Sequence, residues 1–166
     1  LVTLHRPSNV DDRTRLNAIV EALAHIADRL PVVFPLHPRT EKQLDAFGLR
    51  AKLKDMQIIK PQGYLAMLGL MDAARLVLTD SGGVQEETTA LRVPCLTLRE
   101  NTERPVTVDV GSNKLTHSTT EAILGDFAEI LNKPERFGSV PESWDGRAAE
   151  RIAAILSDSN ASADSQ

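Results

Sequence analysis

A single cysteine in 166 residues, Cys95, leaves this chain unable to build a disulfide framework or a cysteine metal site from its own residues. Set inside the apolar run Val93-Pro94-Cys95-Leu96-Thr97-Leu98, it reads as a small buried hydrophobe in a strand and not as a reactive thiol. Positive charge is not in surplus either: 19 basic residues face 23 acidic ones, the net charge is −4, and no run of one sign stands out. That balance argues against a nucleic-acid groove or an anionic membrane surface, so an anionic ligand has to be held by local groups. No apolar stretch approaches the roughly 20 residues that a membrane span needs, and no basic lead into an apolar leader opens the chain. A cytoplasmic protein is the expectation. The lysine that follows the glycines of a P-loop is missing, and so is G-x-G-x-x-G. The spacing of His, Asp and Glu fits no zinc or magnesium template, so no protein-held metal is expected.

What is there reads as one soluble domain of ordinary size, 42% hydrophobic and 25% charged. Short apolar runs alternate with longer segments of helical period. Strands are predicted at Val2 to Leu4, Val32 to Leu36, Met56 to Ile59, Leu76 to Thr79 and Pro94 to Leu98. Helices are predicted at Arg13 to Leu30, Glu41 to Leu53, Leu65 to Ala74, Val84 to Leu91, Thr119 to Leu131 and Arg147 to Leu156, with a turn or short helix at Pro134 to Val140. In the first helix Leu16, Ile19, Val20, Leu23, Ile26, Ala27 and Leu30 share one face, Asn9 or Asp11 offers an N-cap, and Pro31 stops the run. Continuous apolar strands between helices imply a parallel sheet covered on both sides, a Rossmann-like three-layer α/β sandwich. Residues 1–156 form that domain in this reading. Residues 157–166, with no apolar side chain larger than alanine, are predicted to be a disordered tail. The chain starts at Leu1 without a methionine, already inside a strand, so a piece of something longer is expected.

In doubly wound folds ligands bind beyond the carboxyl ends of the strands. Four such segments here carry chemistry: His5, Arg6, Ser8 and Asn9 after the first strand, His37 and Arg39 after the second, Asp80 to Glu87 after the fourth, and Arg99 to Arg104 after the fifth. Asp80-Ser81-Gly82-Gly83-Val84-Gln85-Glu86-Glu87 is the most telling of them. A strand that ends in a Ser/Gly turn leaves the first N–H groups of the next helix unpaired, with the positive end of the helix dipole behind them. Ser81, Gly82 and Gly83 can wrap a phosphate there, and the missing Cβ atoms permit close approach. The plainer reading is a tight turn with Ser81 as an ordinary N-cap and with Glu86 and Glu87 as dipole partners. One of those carboxylates can also accept two hydrogen bonds from a ribose diol. Arg104 supplies a guanidinium fork suited to a diphosphate, against the plainer reading of a solvated surface arginine. His5 and His37 both directly follow apolar strands, whereas His25 and His117 read as structural.

With these residues in view, the chain resembles the C-terminal half of the non-hydrolysing UDP-N-acetylglucosamine 2-epimerases. The resemblance is carried by Thr3-Leu4-His5-Arg6-Pro7-Ser8-Asn9-Val10-Asp11, Pro35-Leu36-His37-Pro38-Arg39, Leu78-Thr79-Asp80-Ser81-Gly82-Gly83-Val84-Gln85-Glu86-Glu87 and Thr102-Glu103-Arg104-Pro105, and it continues through Gly111 and Asn113-Lys114-Leu115. It runs from Val2 to Ile155, and the D-S-G-G-x-Q-E-E and T-E-R-P pair is specific to this group.

The resemblance implies one half of a glycosyltransferase-B-like two-domain fold, with the active site between two Rossmann-like halves and the N-terminal half missing here. It implies that Ser81, Gly82 and Gly83 hold a diphosphate, Glu87 the ribose, Arg104 a phosphate, and that Arg6 and His37 lie at the substrate. His5 is the one catalytic contributor it gives this chain, because the family's general base and acid carboxylates come mainly from the other half. Met67 stands where the family often places an aromatic against uracil, a softer platform. The family reaction interconverts UDP-GlcNAc and UDP-ManNAc by eliminating UDP to a bound 2-acetamidoglucal and adding it back, without nicotinamide or another cofactor. A homodimeric whole enzyme serving cell-surface polysaccharide synthesis is implied too. Two alternatives stay open: the nucleotide-binding half of a UDP-sugar glycosyltransferase, and a UDP-binding module inactive alone.

Overall fold

The computed structural model describes residues 1–132 and 138–163. Among the described residues six strands and eight helices follow in the order β1 (Val2–Thr3), α1 (Pro7–Val10), α2 (Arg13–Ala27), β2 (Val33–Pro35), α3 (Pro38–Ala46), β3 (Gln57–Ile59), α4 (Tyr64–Asp72), β4 (Val77–Thr79), α5 (Gly82–Leu91), β5 (Cys95–Leu98), α6 (Val106–Asp109), β6 (Asn113–Thr116), α7 (Thr120–Asn132) and α8 (Ala148–Ala163). A 3₁₀ turn at Arg50–Leu53 precedes β3.

All strand pairs are parallel. One ladder runs β1-β4-β5-β6 and a second joins β2 to β3, with β2 packed beside β1, so the strands lie in the order β3-β2-β1-β4-β5-β6. The chain winds outward in both directions from the β1/β4 pair, where Val2 stands opposite Leu78 and Thr3 opposite Thr79. In a doubly wound sheet, that reversal opens a crevice at the carboxyl edge.

Neighbouring residues of one strand serve opposite layers, as the two-residue strand period requires. Leu78 and Leu96 join the larger core with Leu16, Ile19, Leu23, Phe34, Ile123 and Phe127, under α2 and α7. Val77 and Cys95 join a smaller core with Met71 and Val93, packed by Leu68, Val84 and Leu91 of α4 and α5. This is the expected three-layer α/β sandwich. Cys95 is fully buried, and burial pushes its thiol up to about 11.

Several local expectations shift. Asp12 caps α2, its carboxylate accepting from Arg15 N at 2.8 Å, while Asn9 is buried and Asp11 pairs with Arg39 and Gln43. The sequence assigns no element to α1, α6 or β6; the first two are four-residue helices, and β6 carries three polar residues in Asn113-Lys114-Leu115-Thr116. The segment from Ser157 to Ala163, expected to be disordered, continues α8. Residues 164–166 and most of the turn predicted at Pro134 to Val140 lie outside the described residues. No described helix is long and apolar enough to cross a membrane.

Candidate functional site

Asp80 directly follows β4 and is fully buried, a costly place for a carboxylate unless its oxygens are occupied. They are. Its oxygens accept from the backbone N–H of His5 at 3.1 Å and of Arg6 at 2.9 Å, from His5 Nδ1 at 2.9 Å and, more weakly, from Asn9 Nδ2 at 3.4 Å. Arg6 Nε donates to the Asp80 carbonyl at 2.8 Å. One acidic side chain thus clasps the end of β1 to the end of β4 at the point where the winding reverses.

Burial alone would push the Asp80 carboxyl up, but the His5 ring and the Arg6 and His5 N–H groups outweigh it and hold the group below the usual carboxylate value. The same hydrogen bond raises His5 above its ordinary value, against partial burial and the Arg6 charge. His5 is therefore biased toward the imidazolium. His37, the exposed N-cap of α3, accepts from Arg39 N through Nδ1 at 3.2 Å, and its ring centroid lies 5.8 Å from that of His5. The two histidines lie side by side just beyond the carboxyl ends of β1 and β2.

Ser81 is the N-cap of α5, as in the plainer reading, but its side chain makes no capping hydrogen bond. Its own N–H donates to Thr79 Oγ1 at 3.0 Å. The hydroxyl and the first N–H groups of α5 are thus left at the helix mouth. Gly82 is buried and Gly83 exposed. A Cβ built on Gly82 would meet Arg104 Nη1 at 2.8 Å and Cζ at 3.3 Å, whereas one on Gly83 meets nothing within 4 Å. Gly82 is needed where a guanidinium lies on the turn.

Arg104 sits between two carboxylates. Its Nε is 2.8 Å from Glu86 Oε2, off the line of the N–H bond, so that buried N–H lacks an in-line acceptor. Its Nη1 is 3.3 Å from Glu103 Oε2, and Glu103 is also held by Arg99 at 2.9 Å. The side chain keeps 34% of its surface exposed, so a dianion can compete for it. Of Glu86 and Glu87, it is Glu86 that pairs with Arg104. Glu87, half-buried, has no ion-pair partner among the described residues; burial and the nearby Glu86 charge raise its carboxyl above the ordinary value. Met67 is half-buried on α4, which packs against α5.

The structure therefore brings His5, Arg6, Ser81, Gly82, Gly83 and Arg104 around the β1/β4 reversal, with His37 beside His5. His25, which contacts Glu21 O through Nδ1 at 2.8 Å, stands apart on α2. Arg6, Arg15 and Arg99 also line a polar cleft of about 550 Å³ between α2 and the ends of β5 and β6. Among the described residues, no group of three or more His, Cys, Asp or Glu could hold a metal.

Asp80, Asn9, Gln85 and Asn113 lie within the motifs named from the sequence, but sequence reading assigns none of them the supporting role they hold here. Asn9 Nδ2 donates to Leu98 O at 3.0 Å, linking α1 to β5. Each is a buried polar residue at a strand end or on an inward helix face, and such residues need partners. That is the signal that could have found them.

A family model described as UDP-N-acetylglucosamine 2-epimerase matches residues 1–157. The UDP-N-acetylglucosamine 2-epimerase of Methanocaldococcus jannaschii is 46% identical over 161 residues, covering 94% of this chain and 43% of that protein. The UDP-2,3-diacetamido-2,3-dideoxy-D-glucuronate 2-epimerase of Pseudomonas aeruginosa is 41% identical over 162 residues, with the same two coverages. A crystal structure of the M. jannaschii enzyme in complex with UDP-GlcNAc and UDP superposes with a TM-score of 0.84 at 45% identity, covering 94% of this chain and 44% of that one. The chain spans less than half the length of these relatives.

Proposed function

Because the chain belongs to the UDP-N-acetylglucosamine 2-epimerase family, we propose that it is the UDP-binding half of an enzyme that interconverts UDP-GlcNAc and UDP-ManNAc. The observation that carries this reading is the convergence of the Ser81-Gly82-Gly83 turn, the Arg104 guanidinium and the Asp80-held His5 at one reversal of the sheet.

In this reading the diphosphate lies on the N–H groups that open α5 and is clamped by Arg104, which trades Glu86 and Glu103 for phosphate oxygens. Glu87 takes the ribose hydroxyls, and Met67 of the neighbouring α4 packs the base. Arg6 and His37 face the sugar side.

The reaction removes the C2 proton and breaks the C1–O bond, and UDP leaves with the bonding electron pair. The C2–H electrons form the C1=C2 double bond of the glycal; UDP then bonds C1 again while a proton is delivered to the opposite face of C2, which gives the epimer. Charge grows on the departing diphosphate, so dipoles and cations that hold it more tightly as it leaves lower the barrier. His5, whose pKa the Asp80 hydrogen bond raises, adds a positive charge on that side whenever its ring is protonated. The base that takes the C2 proton belongs to the half that this chain lacks, so the chain alone binds UDP without turning over. The same reading makes the whole enzyme a cytoplasmic homodimer that supplies activated sugar for surface polysaccharides.

Joining the chain to an N-terminal half and following UDP-GlcNAc in heavy water by proton NMR tests the proposal. UDP-ManNAc with deuterium at C2 is expected. Tight UDP binding with no epimer and no exchange would refute it. Turnover only of UDP-2,3-diacetamido-2,3-dideoxy-D-glucuronate would keep the reaction and replace the substrate.

A further inference from the structure

Behind Arg104 lies a buried polar network that the reaction chemistry does not use. Gln85, on the inward face of α5, is fully buried. Its Oε1 accepts from Thr102 Oγ1 at 2.7 Å and from Asn113 Nδ2 at 3.1 Å. Thr102 Oγ1 in turn accepts the backbone N–H of Arg104 at 3.0 Å. On the other side of the same residue, Thr107 Oγ1 donates to the Arg104 carbonyl at 2.8 Å and accepts from Asn113 Nδ2 at 3.3 Å. Asn113 is itself fixed by Thr97 Oγ1, which donates to its Oδ1 at 2.7 Å.

Both polar groups of the Arg104 backbone are therefore held by threonine hydroxyls, and both threonines are held by the Gln85 and Asn113 amides. The loop after β5 has no regular structure of its own to fix it before α6 begins. Beside the Arg99–Glu103 ion pair and the Thr107 N–H that also reaches the Arg104 carbonyl at 3.1 Å, side chains of α5 and β6 hold it from two sides. Gln85 lies only three residues beyond Gly82, the residue whose missing Cβ admits the guanidinium. One helix thus both makes room for Arg104 and anchors its backbone.

We propose that Gln85 and Asn113 are positioning residues for Arg104, setting through Thr102 and Thr107 where its guanidinium meets a diphosphate. This rests on the preceding assignment of the glycine turn and Arg104 to the UDP diphosphate.

Among the described residues Gln85 Nε2 has no partner, so the network there uses only the oxygen of this amide. Gln85→Glu, protonated in that buried setting, keeps the acceptor; Gln85→Leu removes it. Thr102→Val and Thr102→Ser make the matching pair at a half-buried position that tolerates change more easily.

The test is calorimetric titration of the chain with UDP and with inorganic pyrophosphate, for these four variants, for Arg104→Ala, and for Gln85→Leu and Thr102→Val each combined with Arg104→Ala. Gln85→Leu and Thr102→Val should each weaken both ligands by the same factor, about five- to tenfold, while Gln85→Glu and Thr102→Ser stay within about twofold of the parent. With Arg104 already absent, neither loss should exceed about twofold.

If Arg104→Ala leaves both affinities unchanged, or the parent chain binds neither ligand, the diphosphate assignment fails and the positioning role falls with it. If Arg104→Ala weakens binding but Gln85→Leu and Thr102→Val do not, the positioning role alone is overturned. It is overturned equally if their losses persist in full without Arg104, or if Thr102→Ser fails to rescue. Should Gln85→Leu not fold, the Thr102 pair decides alone.

Discussion

Replacing Gly82 with alanine separates what this residue does for the ligand from what it does for the fold. The added methyl would lie 2.8 Å from Arg104 Nη1 and 3.3 Å from Cζ, with no backbone atom among those near contacts. The far end of a flexible side chain yields before the helix does, so the guanidinium swings off the turn. For the fold, that gives up the partly exposed ion pairs of Arg104 with Glu86 and Glu103, worth together about 1 kcal/mol. Against it stands the gain of alanine over glycine in a helix, up to about 1 kcal/mol and less in the first turn. Net stability should stay within about 1 kcal/mol, a melting shift of no more than about 4 °C. For the ligand, losing charged hydrogen bonds from Arg104 costs roughly 1.5–3 kcal/mol, or about tenfold to 150-fold in UDP affinity. Thermal melts beside calorimetric titration with UDP read both quantities on one sample. A folded Gly82→Ala chain that binds UDP as the parent does would refute the reasoning. A melting point about ten or more degrees lower would show instead that the backbone needs glycine there.

Further outcomes follow from the same geometry. Glu87→Gln should weaken UDP more than inorganic pyrophosphate, since only UDP carries a ribose; equal calorimetric losses would reduce Glu87 to a dipole partner. Met67→Ala should show the same asymmetry if Met67 packs the base, and an unchanged ratio of the two affinities would remove it from the site. The His5–Asp80 pair should make stability depend on pH at both ends. His5 is raised above 6.5, so its share is full below that value and fades as pH rises through the raised one. Asp80 lies below 3.8, so its share is present above that value and lost as pH falls through the lowered one. Urea midpoints against pH should show a plateau between these limits, and His5→Ala should flatten the upper limb; an unaltered profile would remove the pair as its source. Asp80→Asn forfeits at least one charged hydrogen bond and should cost at least about 1.5 kcal/mol, read as a drop in the urea midpoint.

The sequence speaks most clearly where burial and periodicity agree. The inward face of α2 and the apolar residues of β4 and β5 are readable because each element has a single hydrophobic demand to meet. The strand β6 is not, because three of its four residues are polar and Asn113 answers to Gln85, Thr97 and Thr107 in place of an apolar layer. The C-terminal helix outruns its apolar pattern without a local signal: Ser157 to Ala163 sets two alanines against five Ser, Asp and Asn residues of low helix propensity. At the site, Ser81, the glycines and Arg104 stand out by following strands, a local property. Asp80 and Gln85 look like ordinary members of a turn and a helix until partners up to 75 residues away are seen.

The Asp80 clasp joins groups 75 positions apart, and the β1/β4 ladder beside it closes a loop of similar length. Such distant pairings are slow to form, because the chain must surrender the freedom of everything between them first. A refolding chain could therefore pair β4, β5 and β6, whose separations are short, and still lack the floor on which His5 rests. Competence to take up nucleotide would then appear only with the last long-range closure, and nucleotide present during refolding would draw the population across that step by mass action.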